Sequence, residues 1–251
     1  VGGVLPLVYF LRPNSSLLRL SPTRLRLRPI LAACGNGSSE LMSNISSSIV
    51  SMLYNFQLMR YIGEDGVAAF SVIGYTAMIF GAIFMGYALG SSPLMSYQYG
   101  AKNHAEMRSI LFKSLGFIGM GSVVMFLAAE WLAGPLSAIF VSYDAALLEF
   151  TVNAYQIYAF AFLIMGIPIY ASALFTSLGN GIVSAIIAFL RTLVFECGAV
   201  LLLPLVLGID GIWLSVTVGE LAAAILSICF MVAFRKRYGY GKRGVVGNSK
   251  I

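Results

Sequence analysis

Two long stretches of the chain, residues 66–101 and 150–190, contain no Asp, Glu, Lys or Arg. An uncharged and mostly apolar run of about 18 residues or more is long enough to cross the hydrocarbon core of a bilayer as a helix. The composition agrees, because 59% of the 251 residues are hydrophobic and only 10% are charged. Soluble domains carry about 25% charged residues. The sequence therefore predicts an all-α, polytopic membrane protein.

The charged residues lie in the gaps between the apolar runs, which are in order basic, acidic, basic, acidic, nearly neutral, acidic and basic. The basic gaps hold Arg12, Arg19, Arg24, Arg26, Arg28, Lys102, Arg108, Lys113, Arg235, Lys236, Arg237, Lys242, Arg243 and Lys250. The acidic gaps hold Glu64, Asp65, Glu130, Asp144, Glu149 and Asp210, with Arg60 as the basic exception. Because basic loops remain in the cytoplasm, we expect a multi-pass protein of the plasma membrane with both ends cytoplasmic.

The apolar pattern predicts a bundle of six transmembrane helices between residues 38 and 234. The predicted spans are 38–62, 67–97, 109–129, 150–176, 182–207 and 211–234. The connections at 63–66 and 207–211 are so short that their flanking helices must form antiparallel hairpins. Residues 1–11 are apolar but too short to span; we interpret them as the end of a truncated transmembrane helix, with an amphipathic surface segment as the alternative.

The sequence contains no motif for catalysis, nucleotide hydrolysis or metal binding, so we predict a protein that is not an enzyme. Its one histidine, His104, lies in a predicted cytoplasmic turn. The cysteines Cys34, Cys197 and Cys229 are scattered in apolar surroundings and predict neither a disulfide framework nor a metal site. The net charge of +6 is assigned to contact with the anionic cytoplasmic leaflet and not to nucleic acid.

The first predicted span carries a stripe of polar residues. Glu40, Asn44, Ser47, Ser51 and Asn55 follow one another at steps of four, three, four and four, which places them on one helix face. A polar stripe in a membrane helix must face protein or water, because lipid cannot satisfy its hydrogen bonds. The functional interpretation is the wall of a substrate or ion cavity. The alternative is hydrogen bonding between packed helices.

Three further ionisable residues, Arg191, Glu196 and Glu220, lie deep within the predicted spans. An ionisable residue at that depth is by default a functional hypothesis. Arg191 and Glu196 are five positions apart and do not share a face of an ideal α-helix, so we expect Arg191 to pair with Glu220 on the neighbouring helix. Such a pair either fixes the helix register or leaves a carboxylate available for ion coupling.

The fourth predicted span adds weaker cavity candidates, Gln156 and Tyr170, together with Asn153; local hydrogen bonding is the alternative for all three. Pro168, which follows Gly166 closely, predicts a kink in this span. A kink of that kind is a candidate hinge.

Several segments carry a resemblance to the multidrug and toxic compound extrusion (MATE) family, in particular its bacterial multidrug branch. The segments are Gly37–Asn44, Asn55–Met59, Gly63–Ala69, Gln98–Asn103, Phe175–Asn180 and Gly208–Trp213. Each is a loose helix-end pattern, but their order and spacing together match over residues 1–238.

The resemblance implies a transporter of twelve spans in two lobes, with drug bound between them and expelled by alternating access driven by proton or sodium entry. Residues 12–37 then correspond to the cytoplasmic inter-lobe loop, 38–234 to the C-terminal lobe and 235–251 to a basic cytoplasmic tail. It also implies that the chain works with an N-terminal lobe as its partner. Some family members carry cation-binding acids where this chain has Ser48 and Pro168, which puts such a sodium site in doubt.

The leading hypothesis is thus the C-terminal half of a secondary exporter of amphipathic or cationic drugs, with H+ or Na+ as coupling ion and no other cofactor. A flippase for lipid-linked saccharides is one alternative, although such proteins line their cavity with several arginines. A membrane scaffold without transport is the other.

Overall fold

The computed structural model describes residues 4–12 and 27–241, and every regular element in these ranges is a helix. The helices are α1 Val4–Leu11, α2 Leu27–Tyr61, α3 Glu64–Gly100, α4 His104–Val141, α5 Ala145–Ala159, α6 Gly166–Ser177, α7 Gly181–Phe189, α8 Cys197–Leu207 and α9 Ile209–Tyr238. A 3₁₀ turn, Phe160–Leu163, separates α5 from α6, and a π-helical segment, Leu190–Glu196, joins α7 to α8.

The chain divides into two compact units. The first ends at Cys34 and contains α1 and the first turns of α2; the second begins at Gly35 and contains the remaining helices. Residues 13–26 of the predicted loop (12–37) and residues 242–251 of the predicted tail (235–251) lie outside the described residues, and so do the basic residues at those positions.

Five helical runs among the described residues are long and apolar enough to cross a membrane. They are Glu64–Gly100, His104–Val141, Ala145–Ser177, Gly181–Leu207 and Ile209–Tyr238. These runs confirm the all-α, multi-pass membrane fold. The first predicted span lies within α2, which has the necessary length but is more polar than the other five. Helix α2 also begins at Leu27, well before the predicted boundary.

The predicted short connections are tight turns with glycine in the left-handed region. Gly63 joins α2 to α3 with φ +92°, and Gly208 joins α8 to α9 with φ +61°. The turn before α4 differs from a glycine-ended helix, because Lys102 and not Gly100 has positive φ, at +55°. Beyond the second turn, Gly211 approaches α8 so closely that a Cβ there would lie 2.6 Å from the Leu203 carbonyl oxygen.

The lobe has two main apolar cores. One surrounds Tyr54, Tyr155, Phe162 and Trp213, and the other surrounds Met107, Ile118, Phe175 and Ile187. Helix α2 joins the first core through its second half, where the Tyr54 ring stacks on Phe70 at 5.1 Å. The amide of Gln57 also donates to the Val200 carbonyl of α8 at 3.1 Å.

The predicted break in the fourth span is confirmed, but it lies before the proline. The helix is interrupted from Phe160 to Met165, and Pro168 sits in the first turn of α6, where its missing N–H costs no helical hydrogen bond. Gly166 starts α6 in close contact with neighbouring helices, because a Cβ there would lie 2.7 Å from Ile118 Cγ2 and 2.8 Å from Phe84 Cε1. The break and this packing place α6 against α3 and α4.

Candidate functional site

The π-helical segment places Arg191 and Glu196 on the same side of the helix, contrary to the expectation from sequence. The expectation assumed the ideal α-helical period, in which residues five apart diverge. In a π-helix the hydrogen bonds run from residue i to i+5, so the two side chains lie one turn apart. Wide turns of this type occur frequently at functional sites.

The predicted ion pair between Arg191 and Glu220 is present. The guanidinium Nη2 lies 2.6 Å from Glu220 Oε1, and Nε donates to both carboxylate oxygens at 3.1 and 3.0 Å. Side-chain exposure is 23% for Arg191 and 6% for Glu220, so the pair is largely withdrawn from solvent. Its bidentate geometry is the strongest form of an arginine–carboxylate contact.

Close helix packing brings the pair together. Gly219 of α9 lies directly against Glu196, and a Cβ built on Gly219 would stand 3.1 Å from the Glu196 Cα and 3.2 Å from its N. Since a glycine permits this approach of two backbones, the next residue, Glu220, reaches Arg191 across the interface.

The ion pair and Glu196 line one small cavity of about 160 Å³ inside the lobe. Helices α2, α5 and α9, the π segment and the break in the fourth span all contribute to its wall. Its lining consists of Ser47, Tyr158, Ala161, Met165, Arg191, Thr192, Glu196, Val216 and Glu220. The three deep ionisable residues predicted from sequence are thus collected at one place.

The cavity contains two carboxylates and only one guanidinium. Among the described residues, Arg191–Glu220 is the one ion pair closer than 4 Å, so Glu196 has no salt-bridge partner there. With both carboxylates ionised, the three groups carry one net negative charge. A cation that enters this cavity would therefore be attracted to it.

The polar stripe of α2 reaches the cavity at one residue. Ser47 lines it, whereas Asn44, Ser51 and Asn55 do not. All four residues are exposed on the α2 surface. The Asn55 amide donates to the Ser51 carbonyl within its own helix at 2.9 Å. The side chain of Glu40 lies outside the described residues.

The candidates in the fourth span do not line this cavity. Gln156 and Asn153 are exposed and border an open depression at the start of α5. Tyr170 is buried in the second apolar core, with its ring 6.5 Å from that of Tyr87.

Two polar lining residues, Tyr158 and Thr192, were not singled out from the sequence. Tyr158 is two positions from Gln156, and Thr192 directly follows Arg191. An aromatic or hydroxyl residue in an uncharged span carries no signal that distinguishes a cavity wall from packing. Within the described residues, no group of three His, Cys, Asp or Glu is arranged to hold a metal ion.

Comparison with known proteins identifies the family. The MatE family model matches residues 41–200. No curated protein matches the sequence significantly.

Solved structures share the fold at low sequence identity. One of them, a MATE in complex with MaD3S, superposes with a TM-score of 0.84 at 19% identity, covering 94% of this chain and 53% of that one. Another, a MOP superfamily transporter from Pyrococcus furiosus described as having a binding pocket of reverse polarity, gives 0.82 at 22% identity, with 96% and 54% covered. A third, an outward-facing multidrug resistance MATE family transporter, gives 0.79 at 22% identity, with 89% and 50% covered.

The chain spans about half the length of the structures it matches. Its family is shown by the model match, which extends over more than half of its residues. The chain therefore belongs to the MatE family, and it has the fold of half of a MATE transporter.

Proposed function

We propose that this chain is the C-terminal lobe of a cation-coupled multidrug exporter. The observation that carries the proposal is the cavity in which Arg191, Glu196 and Glu220 meet among membrane-spanning helices. An ion gradient is the energy source that suits such a site, because a half-buried carboxylate without a salt-bridge partner, such as Glu196, can bind and release H+ or Na+. Amphipathic or cationic drugs are the proposed substrates, and a second, N-terminal lobe is the proposed partner.

The charges assign different roles to the two carboxylates. Glu220 is held by two nitrogens of Arg191, so its charge is already compensated and its position fixed. Glu196 shares the cavity without a salt bridge among the described residues. We assign cation binding to Glu196 and positioning to the Arg191–Glu220 pair.

The same charge balance argues against the flippase alternative. A lipid-linked pyrophosphate needs an excess of cationic groups in its binding cavity, and bidentate guanidinium groups are the preferred ligands. Here one guanidinium faces two carboxylates and is bound to one of them through Nε and Nη2. A cationic substrate or coupling ion suits the cavity better.

The exporter proposal is tested with the complete protein encoded by the gene that contains this chain. Ethidium efflux from energised cells is followed with and without a protonophore, and with sodium replaced by potassium. Efflux should collapse when one of the two gradients is removed. Efflux that ignores both gradients would overturn the antiport mechanism, and no efflux of any cationic dye would favour the scaffold.

The role of Glu196 is tested by Glu196→Gln, which removes the negative charge and keeps the shape. We expect gradient-driven efflux to fall about tenfold or more at unchanged protein level. The matched control is Glu130→Gln, which neutralises a carboxylate in the second half of α4, outside the cavity. Wild-type efflux in Glu196→Gln would remove this residue from the coupling step.

We also propose that both ends of the chain face the cytoplasm of the plasma membrane. The support is the distribution of basic residues, since Lys102, Arg108 and Lys113 lie near the start of α4 and the basic run 235–237 ends α9. To test this, a cysteine is introduced at residue 113 or 236 of a variant that lacks Cys34, Cys197 and Cys229. Neither cysteine should be labelled by a membrane-impermeant maleimide in intact cells. Labelling of either position without permeabilisation would contradict this orientation.

A further inference from the structure

A second cavity, of about 530 Å³, lies between α4 and α9. It is at the membrane face where α4 begins and α9 ends, because Gly239, just after α9, packs directly on the ring of His104 at the start of α4. A volume of this size is typical of sites for small molecules, about 300–1,000 Å³. It is separate from the small polar cavity, with which it shares no lining residue.

The walls of the larger cavity are apolar over a long distance. They consist mainly of aliphatic and aromatic side chains of α4, α6 and α9, among them Leu111, Leu115, Ile167, Ile228 and Met231. Along α4 the lining extends from Arg108 to Ser122, which is about 21 Å at 1.5 Å per residue. An elongated slot of this kind fits a hydrocarbon chain that lies parallel to the helices.

Two guanidinium groups border the outer end of the slot, Arg108 from α4 and Arg235 from the last turn of α9. No carboxylate of the described residues lies within 4 Å of either one. The Arg108 guanidinium lies 5.4 Å from the ring centroid of Phe112, which also lines the slot. Both guanidinium groups are therefore available to bind an anion. A guanidinium binds phosphate through two parallel hydrogen bonds.

The chain after α9 shapes the same end of the slot. The Arg235 carbonyl accepts from Gly239 N at 3.1 Å and from Gly241 N at 3.3 Å, which turns the backbone back on itself. Tyr240 is buried there and donates its hydroxyl to the Met231 carbonyl at 2.7 Å. Burial raises the pKa of the Tyr240 phenol, so this donor stays protonated. The turn therefore holds a defined wall beside Arg235.

We propose that this slot binds one acidic phospholipid of the cytoplasmic leaflet, with an acyl chain between α4 and α9 and the phosphate on Arg108 and Arg235. Charge complementarity selects this occupant, since two cationic groups at an interfacial mouth followed by an apolar channel match a phosphate followed by a hydrocarbon chain. The leaflet on the basic side of the protein is also the anionic one. Its assignment to the cytoplasmic leaflet rests on the proposed orientation, whereas its lining residues are distinct from those of the small polar cavity.

The test compares lipid binding by variants of the purified protein in neutral detergent. Phosphatidylglycerol, phosphatidylcholine and inorganic phosphate are added separately, and bound lipid is counted by native mass spectrometry beside the thermal unfolding midpoint. We expect phosphatidylglycerol to bind at least about tenfold more tightly than phosphatidylcholine and to raise the midpoint, with no shift from inorganic phosphate. The double variant Arg108→Gln/Arg235→Gln should reduce phosphatidylglycerol binding to the level of phosphatidylcholine.

A matched control separates a built site from general surface charge. Lys113→Gln/Lys236→Gln removes the same charge from α4 and α9, at exposed residues that do not line the slot. It should bind phosphatidylglycerol like the wild type. Equal loss in both double variants would mean that the basic face attracts anionic lipid without a specific site, and would overturn the proposal.

A second pair of variants tests the acyl channel. Gly119 lines the slot, and a Cβ there would meet nothing within 4 Å, so Gly119→Leu fills the channel without forcing a backbone shift. Gly116 is equally open but does not line it. Gly119→Leu should abolish tight phosphatidylglycerol binding and Gly116→Leu should not. A stabilising shift from phosphate alone, or unchanged lipid binding in Gly119→Leu, would contradict the assignment of a lipid chain.

Discussion

Gly219 of α9 and Glu196 of the π segment are in backbone contact, so close that a Cβ on Gly219 would fit only if one backbone moved by a few tenths of an ångström. This contact sets the distance between the two helices that carry the charged groups of the small cavity. A methyl group at residue 219 would lie 3.1 Å from the Glu196 Cα, which is tighter than ordinary van der Waals contact.

We therefore predict that Gly219→Ala destabilises the lobe by about 1–3 kcal/mol, the usual effect of overpacking. Unfolding by denaturant in detergent measures the change. The control is Gly198→Ala in α8, where an added Cβ meets nothing within 4 Å; it should be neutral or stabilise the helix by up to about 1 kcal/mol. Equal stability of the two variants would show that α9 can move away from the π segment without loss.

The Arg191–Glu220 ion pair predicts a strong energetic coupling. The Glu220 side chain is only 6% exposed, and Arg191→Gln removes its charged partner. We expect a loss of about 3 kcal/mol, at the lower end of the range for a broken buried pair because Arg191 keeps some solvent contact. The double variant Arg191→Gln/Glu220→Gln should be less destabilised than Arg191→Gln alone. Losses that simply add in the double variant would mean that the two groups do not stabilise one another.

Asn180 is predicted to stabilise the lobe through two different bonds. Its side-chain oxygen accepts from Val183 N at 3.3 Å and caps α7, while its amide nitrogen donates to the Tyr238 hydroxyl of α9 at 2.9 Å. Loss of a cap costs about 1 kcal/mol, and loss of one further hydrogen bond costs about 1 kcal/mol. Asn180→Ala should therefore lower the unfolding free energy by about 2 kcal/mol.

Asn103→Ala is the matched variant for this prediction. Asn103 caps α4 through one hydrogen bond from Glu106 N at 3.2 Å. It should lose only about 1 kcal/mol, and Tyr238→Phe should lose a similar amount. If Asn180→Ala is no worse than Asn103→Ala, the bond to Tyr238 contributes nothing.

The stripe of α2 predicts a functional effect without a stability effect. Asn44 is exposed on α2, and the exporter proposal assigns this helix face to substrate contact. We expect Asn44→Ala, and likewise Glu40→Gln, to lower resistance to cationic drugs several-fold at normal membrane levels of the protein. Ser71→Ala removes an exposed hydroxyl of α3 outside the stripe and should leave resistance unchanged. Wild-type resistance in both stripe variants would contradict the substrate role and favour the alternative, hydrogen bonding between packed helices.

The sequence determined much of this fold because charge and hydropathy act over whole helices. The tight turns at Gly63 and Gly208 were predictable because the connections are too short for any longer loop. The Arg191–Glu220 ion pair was predictable because charged groups in an apolar layer need a partner of opposite charge. The break near Pro168 was also predictable, although the interruption itself precedes the proline.

The local details of the site were not predictable in the same way. Residues 190–196 have no sequence signal for a π-helix. The ideal α-helical period of about 3.6 residues per turn therefore predicts that Arg191 and Glu196 lie on different faces, whereas the structure places them on the same side. Tyr170 lies in the second apolar core, and its sequence context could not have located it, since a tyrosine in a membrane span fits a cavity wall and an apolar core equally well. Ser47 lines the small cavity because of the way α2 packs on the other helices. The residue pattern of one helix carries no information about that packing.

The polarity of α2 has a consequence for how the protein is made. A helix rich in Ser and Asn partitions weakly from the translocon into lipid when it emerges alone, because each polar side chain disfavours insertion. Only Ile62 and Gly63 separate α2 from the far more apolar α3. We therefore expect α2 to wait at the translocon until α3 has been synthesised and the two helices to enter the bilayer as a pair. Lengthening the link between them should then trap α2 outside the membrane.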